Sequence, residues 1–135
     1  MSKKINEIHA GDAFELKQSV GKYAPFFYAG ASGDFNPIHI DVDFAKMVGL
    51  GGNILQGLCT MAYAARANVE FADDPGALKR IKVRFSAPVR PDDKVIVQGT
   101  VTAVEGGKAT TQFVAVNQKG EEVISMATAE LELDE

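Results

Sequence analysis

Residues 47–65 contain no charged side chain, and this run constrains the fold more than any other feature of the chain. A membrane span needs about 20 consecutive, predominantly apolar residues. Here Gly49, Gly51, Gly52, Asn53, Gln56, Gly57 and Thr60 interrupt the run, so a span is excluded on content. The spacing instead predicts a helix starting near Asn53. Ile54, Leu58, Met61 and Ala65 share one face, with Leu55, Cys59 and Ala62 beside them. A helix apolar almost all round is expected to be buried on most sides.

The half after Pro75 supplies material to cover it. Ile81, Val83 and Phe85 alternate with Lys82, Arg84 and Ser86, the period of a half-buried strand. Residues 95–104, 109–117 and 122–131 are further strand-length runs rich in Val, Thr and Ile. Pro91-Asp92-Asp93, Glu105-Gly106-Gly107 and Gln118-Lys119-Gly120-Glu121 separate the runs, and such short turns imply antiparallel hairpins or a meander. Residues 12–20 read as an N-terminal strand, followed by a helix from about Gly21 to Ala31.

With 135 residues there is room for one core, and no linker, repeat or low-complexity segment divides the chain. The expectation is a single α+β domain over residues 1–135, its antiparallel sheet curled around the apolar helix. That arrangement is the hot-dog fold. Fourteen Lys and Arg against 18 Asp and Glu leave a net charge of −4, with the basic residues scattered. Nucleic acid and anionic membrane both need concentrated positive charge, so neither is expected as a partner. The start, Met1-Ser2-Lys3-Lys4-Ile5-Asn6-Glu7, lacks the apolar core of a signal peptide, and the single Cys59 cannot form an internal disulfide. The expected compartment is the cytoplasm.

Chemistry concentrates in Tyr28-Ala29-Gly30-Ala31-Ser32-Gly33-Asp34-Phe35-Asn36-Pro37-Ile38-His39, which places a carboxylate, an amide and an imidazole between two helical patterns. Pro37 forces Asn36 out of the α region, so Asp34 and His39 are not a helical pair. Asn36 is suited to hold the loop by side-chain hydrogen bonds to backbone. The next helix is expected to start with Asp41 as N-cap, carry Asp43 in its first turn and stop around Gly49. Imidazole titrates near neutrality, which suits a carboxylate–histidine pair to proton transfer.

The segment from Tyr28 to His39, continued by Asp41, Phe44 and Ala45, resembles the signature of MaoC-like dehydratases and R-specific enoyl-CoA hydratases, a group that includes R-3-hydroxyacyl thioester dehydratase subunits. Ile54-Leu55-Gln56-Gly57-Leu58 is similar to the start of that family's central helix, and Val83-Arg84-Phe85-Ser86-Ala87-Pro88-Val89 to the strand beyond it. The resemblance covers nearly the whole chain. It implies reversible hydration of trans-2-enoyl thioesters to R-3-hydroxyacyl thioesters, carried by coenzyme A or acyl carrier protein and needing no other cofactor. It implies Asp34 and His39 as the catalytic pair and Gly57 as the backbone N–H that binds the thioester oxygen. Asn36 and Gln56 are implied at the substrate. Gln56 departs from the pattern, because family members commonly carry histidine there. A hot-dog chain is also expected to pair into a homodimer or higher oligomer, covering an exposed sheet edge and an apolar opening.

Other constellations fail. Gly30-Ala31-Ser32-Gly33 lacks the final glycine of a nucleophile elbow, since Asp34 follows. Glycines 49, 51 and 52 do not fit a dinucleotide fingerprint. Asp41-Val42-Asp43 begins like a calcium loop, but Ala45 and Lys46 stand where an oxygen ligand and a glycine are required. His9, His39 and Cys59 give no zinc spacing, so no metal is expected. Cys59 reads as core. Lys79, Arg80, Lys82, Arg84 and Arg90 read first as a solvated strand face and second as a site for carrier phosphates. Two rival functions fit the same fold. One is a thioesterase, directing water at the thioester carbonyl; the other is an acyl-binding partner subunit of a dehydratase complex.

Overall fold

The computed structural model describes residues 2–135. Elements follow in the order β1 (Ala13–Ser19), α1 (Ala24–Ser32), α2 (Pro37–Ile40), α3 (Val42–Met47), α4 (Gly57–Ala72), β2 (Leu78–Phe85), β3 (Lys94–Glu105), β4 (Lys108–Val116) and β5 (Glu122–Glu132). The strands form one antiparallel sheet in the order β1-β3-β4-β5-β2. Tight turns join β3 to β4 and β4 to β5. β1 and β2, separated by all four helices, occupy the two edges.

Strand alternation directs Val95, Val97, Phe113, Ala115, Ala127 and Ala129 into the core, where they meet Ala64 and Ala67 of α4. Small helical side chains allow the helix to lie close against the sheet. Gly99 serves the same end from the β3 side: a methyl group there would overlap the ring of Phe14, which stacks on Phe71 at 4.9 Å. Two polar side chains in this core satisfy each other. Thr111 donates to Asn68 Oδ1 at 2.6 Å, and Asn68 Nδ2 donates to the Ala64 carbonyl at 2.9 Å. The α+β hot-dog architecture expected from the sequence is therefore the architecture observed.

The central helix differs in two respects from its sequence pattern. It starts at Gly57, not near Asn53, because residues 53–56 give their hydrogen-bonding groups to other elements. Asn53 Nδ2 reaches the His39 carbonyl, Ile54 N–H the Ile38 carbonyl, and Leu55 N–H the Val89 carbonyl. With those groups committed elsewhere, the apolar spacing continues but the helical backbone does not. The buried face is also different. It is formed by Thr60, Ala64, Ala67, Asn68 and Ala72, whereas Leu58 is 63% exposed. Ala62, Arg66 and Glu70 are exposed too, so a single chain buries one side of α4 and leaves another open.

Candidate active site

The loop between α1 and α2 is built almost entirely from its own side chains. Gly33 closes α1 in the left-handed conformation, at φ 80°, and donates to the Ala29 carbonyl. Ser32 Oγ donates to the Tyr28 carbonyl at 2.7 Å and accepts from Asp34 N–H at 3.1 Å, so Asp34 hangs from the last turn of α1. Asp34 Oδ1 accepts from Asn36 N–H at 3.3 Å. Asn36, held extended before Pro37 at φ −53° and ψ 129°, caps α2 by accepting from Ile38 N–H at 3.2 Å. Asp41 then caps α3 through Phe44 N–H at 3.0 Å, as its sequence position suggests.

This scaffold brings the two ends of the motif together. His39 is 7% exposed, while the Asp34 side chain is about half open. His39 Nδ1 lies 2.8 Å from the Ile54 carbonyl, which can only accept, so Nδ1 carries the proton of the neutral ring. Nε2 is left with its lone pair, and it faces Asp34 Oδ2 at 3.6 Å. That gap is too long for a hydrogen bond. Two acceptors at this separation can each take one O–H of the same water at about 2.8 Å, leaving the water's lone pairs pointing away from both.

Gly57 is the first residue of α4, and among the described residues no backbone carbonyl pairs with its N–H. The first N–H groups of a helix are unpaired within it and favour an oxygen gaining negative charge. A β-carbon at Gly57 would sit 3.2 Å from the Phe85 ring, so glycine keeps the space between N–H and ring open. Gln56, the residue before, is 1% exposed; its Nε2 donates to the Pro25 carbonyl at 2.9 Å and its Oε1 has no hydrogen-bond partner among the described residues. Asn36 is exposed, with Oδ1 occupied by its own cap.

Sequence reasoning missed the supports of the pair. Ser32 stood inside the motif and could have been found as a hydroxyl next to a helix end. The Ile54 carbonyl, which fixes the imidazole, carries no sequence signal, because a backbone acceptor has no residue type; Asn53, which holds the His39 backbone carbonyl, is marked by no motif. Lys79, Arg80, Lys82 and Arg84 are exposed along the β2 edge and Arg90 is half-buried. Cys59 is packed against the core, and burial pushes its thiol up despite a 3.6 Å hydrogen bond to Tyr63. Burial, then the contact with Cys59, raises the Tyr63 phenol as well. Both groups stay neutral and serve packing. Among the described residues no cluster of His, Cys, Asp and Glu could hold a metal, and no helix is long and apolar enough to cross a membrane. One cavity, about 830 Å³, is an open trough along the sheet lined by residues such as Glu15, Gln98, Gln112 and Met126. It is lined by neither Asp34 nor His39.

The family model described as MaoC like domain matches residues 9–123. Peroxisomal multifunctional enzyme type 2 of Mus musculus is 43% identical over 102 residues, 74% of this chain and 13% of that protein. A probable enoyl-CoA hydratase 2 of Dictyostelium discoideum is 40% identical over 94 residues, 68% of this chain and 32% of that protein. The chain thus spans about a third or less of the length of these relatives. Among solved structures, the unliganded R-hydratase PhaJ1 from Pseudomonas aeruginosa superposes with a TM-score of 0.89 at 24% identity, covering 99% of this chain and 87% of that one. At that identity it supports the fold alone. With the family model covering most of the chain, and the motif loop and α4 inside the matched region, this chain belongs to the MaoC-like domain family.

Proposed function

We propose that the chain is a hydro-lyase that reversibly hydrates trans-2-enoyl thioesters to R-3-hydroxyacyl thioesters. The observation that carries this reading is the pair of facing acceptors, His39 Nε2 and Asp34 Oδ2, 3.6 Å apart, with the imidazole anchored to the Ile54 carbonyl just before α4. A water held through both its O–H groups presents a lone pair to the β-carbon of the enoyl group. As the new C–O bond forms, one O–H proton passes to the pair and the double-bond electrons move towards the thioester oxygen. The Gly57 N–H stabilises the charge developing on that oxygen. The pair's proton is then delivered to the α-carbon, so water and enoyl thioester account for every atom of the product. Asp34 orients and activates the water and His39 is its partner in proton transfer, acting as one coupled unit. Dehydration is the same path reversed. The R configuration rests on family membership, and the relative named as a probable enoyl-CoA hydratase 2 supports the reaction class.

The reaction requires no cofactor beyond the carrier, coenzyme A or acyl carrier protein, to which the acyl group is esterified. The compartment we propose is the cytoplasm. The test of the reaction is a series of trans-2-enoyl-CoA chain lengths, followed by loss of enoyl absorbance.

The working unit we propose is a homodimer at least. In one chain β2 has one unpaired edge, and Phe26, Phe27, Phe35, Leu58 and Phe85 are all exposed. Exposed apolar groups of this number and an open strand edge are normally covered in soluble proteins. Sedimentation is expected to show a dimer or larger species at micromolar concentration. A fully active monomer at that concentration would contradict it.

A further inference from the structure

One buried side chain near the pair is poorly explained by packing. Gln56 is 1% exposed, and its Oε1 has no hydrogen-bond partner among the described residues. The amide cannot be turned to relieve this, because the Pro25 carbonyl opposite Nε2 accepts and does not donate. A buried acceptor left without a partner is destabilising, because it has given up its hydrogen bonds to water. An apolar side chain of similar length would avoid that cost, so the amide is there for something other than stability.

Its one hydrogen bond has a notable position. Pro25 lies in the first turn of α1, the helix whose last turn holds Asp34 through Ser32. Gln56 is the N-cap residue of α4 and adjoins Gly57. Two residues earlier, the Ile54 carbonyl fixes the imidazole of His39. The Gln56–Pro25 bond therefore closes a ring that runs through α1 to Asp34, across to His39, and back through Ile54. Without it, the carboxylate's helix and the helix end that receives the thioester oxygen share no side-chain tie at this point.

We propose that Gln56 is a positioning residue for hydration, setting α1, and with it Asp34, against His39 and the Gly57 N–H, at a cost in stability. This rests on the hydratase reading and adds to it the holding of α1 against the start of α4, a role separate from the substrate contact that the family resemblance implies for Gln56. Gln56→Met removes both polar atoms at similar length. Its melting temperature is expected to equal or exceed that of the unmodified chain, because loss of the unpaired oxygen offsets loss of the bond to Pro25. Its kcat for enoyl-CoA hydration is expected to fall at least tenfold with KM nearly unchanged. Gln56→Glu supplies a second readout. A neutral carboxylic acid can donate to the Pro25 carbonyl and an ionised carboxylate cannot, so activity should be retained at low pH and lost as that carboxyl ionises. Burial shifts its ionisation upwards. Circular dichroism at each pH checks that the fold persists. A folded Gln56→Met variant with unchanged kcat, or a Gln56→Glu variant with the unmodified pH profile, overturns the positioning role while leaving the hydratase reading intact. If the unmodified chain hydrates no enoyl-CoA, the hydratase reading fails and this inference with it.

Discussion

Asp34→Asn and His39→Gln are each expected to lower the rate of enoyl-CoA hydration by about 10²–10⁴-fold, the range typical of acid–base groups. The hydrogen bonds of the loop indicate why so small a change at Asp34 should be so damaging. Asp34 Oδ1 accepts from Asn36 N–H, so the oxygen of an asparagine would stay on that donor. Its NH₂ group would then face His39 Nε2 and donate to it. A pair of acceptors that can hold a water becomes a donor and an acceptor engaged with each other. In His39→Gln the ring that faces Asp34 and anchors to the Ile54 carbonyl is lost. Folding should change little in Asp34→Asn, because the backbone contacts of the loop run through Ser32, Asn36 and Asp34 Oδ1. Steady-state kinetics beside a thermal melt checks both variants, and a near-normal rate in either one sinks the assignment.

Gly57→Val is expected to lower turnover about 10²–10³-fold, the scale seen when one oxyanion donor is lost. The N–H itself survives this substitution; what changes is access to it. The new β-carbon would stand 3.2 Å from the Phe85 ring, closing the space through which a thioester oxygen approaches. Phe85 is half exposed and can turn aside, so the chain should remain folded. The contact to the oxygen strengthens as charge develops, so the loss should fall mainly on kcat. Gln56→His provides a contrast at the neighbouring position. Imidazole also carries an N–H that can serve the Pro25 carbonyl, and activity should persist. A folded Gly57→Val variant working at the normal rate would place the oxygen elsewhere.

The parts of this protein legible in its sequence are those written in periodicity and in local side chains. Alternation in residues 95–104 and 109–117 marked β3 and β4 closely, because one face of each is buried and the other wet. Asn36 before Pro37 announced a capped turn, and that cap is present at 3.2 Å. The start of α4 was misplaced because apolar spacing runs on through Ile54 and Leu55, while the decision to leave the helix lies in long-range partners, Ile38 and Val89. The buried face of α4 was misassigned for a related reason. Leu58 is the more hydrophobic residue, but the close approach of helix to sheet favours Ala64 and Ala67 there. Within the site, the motif pointed to Asp34 and His39. It could not disclose that a backbone carbonyl sets the histidine's proton, nor that Gln56 reaches across to α1.

The unmodified chain is mixed with a series of trans-2-enoyl-CoAs, enoyl absorbance is followed, and the product is resolved by chiral chromatography. The expected result is rapid loss of absorbance for at least one chain length, yielding the R-3-hydroxyacyl-CoA with the thioester intact. Release of free thiol, formation of the S product, or no turnover across the series in the assembled protein would contradict it.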